Sequence, residues 1–246
     1  MKTLIQALFT LTLVAGPLQA VTVTLAPIAD ATLQSAFPNN NEGDGTTFQV
    51  GGRRQGGEAR GLLRFDIAGA VPANALINSV TLTLQVTATP SGGVNSLFDL
   101  HTLLQSWGEG NGSDHGGGSP GAAGQVTWNN RLGSGTPWST AGGSFSPVIS
   151  ASRSIAGNGS YAFNSTAQLV GDVQSWLNTP ANNFGWELVS ESGNTPTSIR
   201  RFGNRTDALN TPMLTISFTP VPEPGTLALL GLGGLGLWLA RRSRPA

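Results

Sequence analysis

Residues 77–86 read INSVTLTLQV. Val80, Leu82, Leu84 and Val86 fall on one side of an extended chain and the threonines on the other, because side chains alternate faces along a strand. Valine, leucine and threonine in that order suit a pleated surface with one face buried, and the period of two is clearer here than elsewhere. Working outward, shorter segments of strand character occupy residues 21–25 (VTVTL), 30–35, 46–50, 61–67 and 97–104 before the loop at mid-chain. Residues 148–155, 160–163, 184–189, 198–202 and 213–218 follow it. One segment has helical periodicity. Ser165 and Gln168 make a capping-box pattern, and Leu169, Val170, Val173, Trp176 and Leu177 share one face before Pro180 stops the helix. Strands joined by Gly/Pro/Asn loops, with a single short helix, predict an all-β fold: an antiparallel, jelly-roll-like β-sandwich.

The loops carry the composition signals. Gly51-Gly52 and Gly56-Gly57 punctuate the segment after residue 50, and residues 108–125 read GEGNGSDHGGGSPGAAGQ. So glycine-rich a stretch is a poor host for regular structure, and long loops within a domain are expected to be functional or disordered. Charged residues are 11% of the chain and the formal net charge is zero. That balance predicts no extended basic surface to neutralise phosphates and argues against nucleic acid as a partner. Cysteine is absent, so the chain has neither disulfides nor thiolate metal ligands.

The two ends are different from the middle. Met1-Lys2 is a short positive region, residues 4–15 are apolar, and Ala20 is a small residue at a cleavage position, as in a secretory signal peptide over residues 1–20. Residues 221–246 read VPEPGTLALLGLGGLGLWLARRSRPA. Pro222-Glu223-Pro224 forces an extended turn, residues 227–240 are apolar, and Arg241, Arg242 and Arg244 form a stop-transfer flank. Fourteen apolar residues span roughly 21 Å, short of a ~30 Å hydrocarbon core, so the C-terminal transmembrane sorting helix is a weak anchor. Residues 21–220 remain as the β-sandwich domain. The tail, from Val221-Pro222-Glu223-Pro224-Gly225-Thr226 to the arginines, resembles the PEP-CTERM sorting signal of Gram-negative bacteria. The resemblance implies recognition by an exosortase-type membrane protease, a transient stay in the inner membrane, and delivery to the cell surface or the extracellular polysaccharide.

A second resemblance runs through the middle of the chain. Asp30-Ala31-Thr32, Gly61-Leu62-Leu63-Arg64-Phe65-Asp66, Ile77-Asn78-Ser79-Val80-Thr81-Leu82 and Trp107-Gly108-Glu109 come first. Val126-Thr127-Trp128, Asp172-Val173-Gln174-Ser175-Trp176 and Asn183-Phe184-Gly185-Trp186 follow. In this order they resemble the exported β-sandwich domains called DNRLRE or disaggregatase-related, some of which are carbohydrate-binding modules. Arg205-Thr206-Asp207 departs from that pattern, where Ser-Arg-Glu is usual.

Candidate site residues follow from side-chain chemistry. Aromatic faces stack on sugar rings while Asn, Arg and Asp bond hydroxyls, which makes Trp107, Glu109, Trp128, Asn129, Arg131 and Trp138, around the glycine loop, the candidate ligand-binding set. Glu42, Asp44, Glu109 and Asp114 lie on two acidic glycine-bearing loops that could hold calcium, although neither has EF-hand spacing. No nucleophile elbow or zinc motif is present, and His101 and His115 are the only imidazoles. A glycosidase-type pair drawn from Glu42, Asp44, Glu58, Glu109, Asp114, Glu187 and Glu191 has no spacing of its own to reveal it. Arg64 with Asp66, and Arg201 and Arg205 with Asp207, are expected as structural ion pairs. Trp176 and Trp186 are expected in the core. Three functions stay open: a non-catalytic, carbohydrate-associated exported protein, a polysaccharide lyase or hydrolase, and a purely structural matrix protein.

Overall fold

In a computed structural model, residues 19–113 and 117–221 are described, together with Gly231, Gly233 and Gly234. Residues 1–18 of the signal peptide, Asp114, His115, Gly116, and the tail from Pro222 onward (those three glycines apart) lie outside the described residues. Among the described residues no helix is long and apolar enough to cross a membrane.

The strands in chain order are β1 (Val21–Leu25), β2 (Ala29–Gln34), β3 (Asn40–Asn41), β4 (Thr47–Gly52), β5 (Glu58–Arg64), β6 (Leu76–Ala88) and β7 (Ser96–Leu103). After them come β8 (Ser119–Pro120), β9 (Phe145–Ile155), β10 (Gly159–Phe163), helix α1 (Ala167–Asn178), β11 (Trp186–Ser190), β12 (Arg200–Gly203) and β13 (Met213–Thr219). All pairings are antiparallel, and eleven strands form one curled sheet whose two halves face each other like a sandwich. β6, the strand of clearest periodicity, is the spine of one half. Leu82 pairs with both Leu214 of β13 and Phe163 of β10, so those two strands lie on opposite edges of β6. Val86 pairs with both Gly159 of β10 and Phe202 of β12, which puts β12 on the same edge as β13. The other half holds β2, β5, β11, β7 and β9 side by side.

β4 joins the halves. Residues Thr47–Val50 side of it pair with β12, while Gly51 and Gly52 pair with Ala59 and Glu58 of β5. The two glycines therefore continue the strand instead of ending it. Gly51 has φ +114°, and a Cβ on Gly52 would lie 2.1 Å from the Thr195 carbonyl oxygen. Only residues without a Cβ let the strand turn this corner against the 192–199 loop.

Between the halves, Val80, Leu82, Leu84 and Val86 of β6 pack with Leu63, Phe98, Leu100, Trp186, Leu188 and Phe202, all fully or almost fully buried. α1 closes one end with Leu169, Val173, Trp176 and Leu177, and the Trp176 and Trp186 rings meet edge to face at 4.5 Å. Its N-cap is Thr166, whose side chain accepts from Leu169 N, and not Ser165, whose Oγ accepts from Val80 N. Gln168 turns along the helix to Asp172, so the capping box does not form. A second core lies on the other side of the β2–β5–β11–β7 half, beneath residues 104–144. It contains Ala29, Ala31, Leu33, Leu62, Leu103, Trp107, Val126 and Trp138. The described part of the glycine-rich loop is thus a packed lid, with Ser119 and Pro120 paired to Asn41 and Asn40.

Gly52→Ala should lower stability by about 1–3 kcal/mol, the usual cost of overpacking. Gly171→Ala, at an exposed helical position with nothing within 4 Å of a new Cβ, should raise it by roughly 0.5–1 kcal/mol. Urea unfolding of residues 21–220 measures both, and a neutral Gly52→Ala would remove the corner argument.

Candidate functional site

The covered outer face of the second half gathers more chemistry than the inner core. In β5, Leu63 points inward while Arg60, Leu62 and Arg64 point outward. In β11 and β7, Trp186, Leu188, Phe98 and Leu100 point inward, leaving Glu187, Asp99, His101 and Leu103 on the outer face. The lid and the first residue of β9 supply aromatic rings to this face. The Arg60 guanidinium carbon lies 4.9 Å from the Trp128 ring centre and 5.4 Å from that of Phe145, and Arg64 lies 5.3 Å from Trp107. Stacking of this kind lets arginine stems and planes occupy an otherwise apolar layer.

Trp107, Trp128 and Trp138 thus come together in one cluster. Trp107 and Trp138 are 2% and 4% exposed. Their indole N–H groups donate to backbone carbonyls, of Phe184 at 2.8 Å and Thr127 at 3.0 Å. Trp128 is half-buried under Gly142, whose φ is +87° and where a Cβ would lie 2.7 Å from the ring. Asn129 and Arg131 stand on the adjacent turn: Asn129 Nδ2 donates to Asn39 Oδ1 at 2.9 Å, and Arg131 Nη1 donates to Ser106 Oγ at 3.0 Å. Both are partly exposed, so the open rim of the cluster is Trp128, Asn129 and Arg131.

The two acidic loops also meet. Asp44 N donates to the Gly112 carbonyl, and the buried Asn41 carboxamide donates to the Glu109 and Val126 carbonyls and accepts from Gly112 N. Glu109 faces a cation already in the chain. Its carboxylate takes Arg205 Nε at 2.6 Å and Nη2 at 2.7 Å, and it also accepts from Asp30 N at 2.9 Å. Asp44 Oδ1 accepts from Gly45 N, Glu42 is buried, and Asp114 lies outside the described residues. Among the described residues no group of three or more His, Asp or Glu is placed to hold a metal ion. Arg205 therefore pairs with Glu109, not with Asp207, which instead caps its own turn at Leu209 N and Asn210 N. Arg64 likewise stacks on Trp107, while Asp66 caps Gly69 N. These partners are far apart in sequence, and no local spacing signals them.

Buried carboxyls in this region hold their protons tightly. Burial pushes Asp30 up to about 6, against the opposing backbone hydrogen bond from Arg205 N. Glu187 is fully buried and is pushed up to about 8, because burial outweighs Arg60. The distances explain that balance. Arg60 is 2.9 Å from Glu58 but 3.5 Å from Glu187 Oε1, and Oε2 has no hydrogen-bond partner beneath Gly143. The Arg60 guanidinium itself is shifted up, chiefly by Glu58 and Glu187 acting against its burial. Sealed in this way, Glu187 cannot reach a substrate. His101 Nδ1 bonds the Ser146 backbone carbonyl at 2.9 Å and its ring packs on Phe145.

The chain matches the model of the PEP-CTERM protein-sorting motif over residues 220–244, starting at the residue after β13. The motif indicates an exported protein that is anchored transiently in a membrane before exosortase processing. No curated protein sequence matches the chain.

The raised carboxyls fix a sign for pH dependence. The native state keeps protons that the unfolded chain releases, so their contribution to stability is complete below the ordinary carboxyl range. It is lost as pH rises from about 4 through the folded value of about 8. The melting temperature should therefore fall between pH 5 and pH 8 on this account, and Glu187→Gln should flatten the part between about pH 6 and 8. A thermal series in which wild type and variant run parallel would show that Glu187 is not the source.

Proposed function

We propose that the chain exports a non-catalytic β-sandwich that associates with polysaccharide at the cell surface or in the extracellular matrix of a Gram-negative bacterium. The observation that carries the reading is the position of the sorting motif: it begins at residue 220, directly after the last residue of β13, Thr219. A cut near Pro222-Glu223-Pro224 would release both cores intact, since every core residue lies between Ala29 and Phe218. On this reading the chain divides into signal peptide, sandwich domain and sorting signal at residues 1–20, 21–220 and 221–246.

Support for the polysaccharide comes from the rim of the outer cluster. A partly exposed indole, packed between Arg60 and Gly142 and close to Asn129 and Arg131, leaves an apolar ring edge with hydrogen-bonding groups beside it, which sugar recognition can use. The resemblance to DNRLRE domains with jelly-roll-like sandwiches points the same way. Its residues sit in β2, β5, β6, the lid, α1 and β11. The enzyme and matrix readings give different outcomes in one experiment, binding of residues 21–220 to a glycan array with reducing-end release followed in parallel. Binding without release is the expected result, release would establish an enzyme, and neither would leave a matrix component. Trp128→Ala should weaken binding about tenfold, the loss expected for one stacking contact of about 1–1.5 kcal/mol, while unfolding stays cooperative.

Processing is tested by intact mass of the exported protein. The expected mature form ends near residue 222. Replacing Arg241, Arg242 and Arg244 together by Ser should cause unprocessed chain to accumulate, because the arginines would no longer hold the tail's orientation. A mature protein that retains Arg244 would refute this route.

A further inference from the structure

Arg201 of β12 pairs with Gln49 of β4, and since Arg200 and Phe202 point into the core, Arg201 points out to solvent. Beside it the β4–β5 turn, Arg53-Arg54-Gln55-Gly56-Gly57, is closed by Arg53 N to the Gly57 carbonyl and Gly56 N to the Arg53 carbonyl, each 3.0 Å. Turn and sheet enclose a cleft of about 280 Å³ lined by Arg53, Arg54, Arg201, Gln49, Gln55 and Ile199, with no acidic residue in its wall. Among the other arginines of the domain, Arg60 and Arg205 have carboxylates, Arg200 and Arg131 have hydrogen-bond acceptors, and Arg64 and Arg153 lie against aromatic rings. Among the described residues, none of the three cleft arginines has a carboxylate within ion-pair distance. Arg53 lies over the Phe37 ring at 5.5 Å with its Nη1 buried and unpartnered, and Arg54 makes one bond, to the Ser91 carbonyl at 3.1 Å. Three arginines thus line one cleft on a chain whose formal net charge is zero.

Guanidinium groups lining one cleft without counter-ions suit planar oxyanions, which arginine binds through paired N–H donors, and the Gln49 and Gln55 amides add neutral donors. The cleft is slightly smaller than the roughly 300–1,000 Å³ of enclosed small-molecule sites, so it suits one projecting group of a larger molecule. We propose that it binds the carboxylate or sulfate groups of an acidic polysaccharide. The proposal rests on the polysaccharide reading above and names its substrate class, at a place separate from the Trp128 rim.

The test titrates the full chain, in a neutral detergent, with polygalacturonate, dextran sulfate, neutral dextran and inorganic polyphosphate at low and high salt. At least one of the two acidic polysaccharides should bind about tenfold or more tighter than neutral dextran and weaken as salt screens the charges. The tighter of the two identifies carboxylate or sulfate as the group held. Arg54→Gln with Arg201→Gln should remove that preference with an unchanged melting temperature. Arg54→Gln alone, at an exposed turn position, should lose part of it, and Arg153→Gln, outside the cleft, should keep it. Equal binding of neutral and acidic polysaccharides overturns this proposal but leaves the polysaccharide reading standing, and binding of none overturns both. Stronger binding of polyphosphate, or undiminished binding by the double variant, also overturns it.

Discussion

The passage of β4 from one half of the sheet to the other is the constraint on which the rest of the fold depends. Its corner is held from the 192–200 segment. Ser198 Oγ accepts from Gly52 N at 2.7 Å, and Ile199 N donates to the Gly52 carbonyl at 3.2 Å. Immediately beyond, Arg200 is fully buried without a carboxylate partner and donates to the carbonyls of Val94, Ala156, Ser198 and Ile199. Burial lowers its pKa, yet a guanidinium keeps its proton at any physiological pH. Hydrogen bonds to a charged donor contribute about 1.5–3 kcal/mol each, and several of them offset the cost of taking one cation out of water. One side chain thereby ties the loops after β6 and β9 to the strand beside the corner.

With the corner set, the half of the sheet containing β5 and β11 is covered on both faces, and this explains where polar chemistry can and cannot act. The inner face meets β6 and α1 in an apolar core. The outer face carries Arg60, Arg64, Glu187 and His101, which would cost too much if buried alone. Aromatic rings cover the arginines, and Glu187 avoids a buried charge by keeping its proton. A lid built from glycine-rich chain suits this role because its backbone must come close. A Cβ on Gly143 would fall 1.9 Å from Glu187 Oε2, and one on Gly112 would fall 2.0 Å from the Asn41 carbonyl oxygen. The same packing that stabilises the charged face removes it from solvent, so the recognition proposed above falls to the rim at Trp128 and to the basic cleft on the opposite half.

Local pattern, in the sequence alone, determined most of the long strands, because alternation along β6 requires nothing beyond the chain itself and one buried face, whereas β5 and β9 begin three residues before the segments read and β3 and β8 form only through their pairing. It also determined the helix, with Leu169, Val173, Trp176 and Leu177 on one side, and the sorting tail, whose order of prolines, apolar run and arginines is contiguous. It placed Trp107, Trp128 and Trp138 in one neighbourhood because the lid that carries them is a single stretch. Tertiary structure decided what depends on residues distant in sequence. Gly51-Gly52 looks like the end of a strand until the 192–199 loop is seen packed against it. Arg205 reads as the neighbour of Asp207 until β2 and the lid bring Asp30 and Glu109 to it. Glu187 looks like any strand glutamate until Gly143 closes over it, and Arg53, Arg54 and Arg201 become one cleft only because β12 lies beside β4. Burial and charge pairing act through space with no preferred sequence separation, so only the folded chain could decide them.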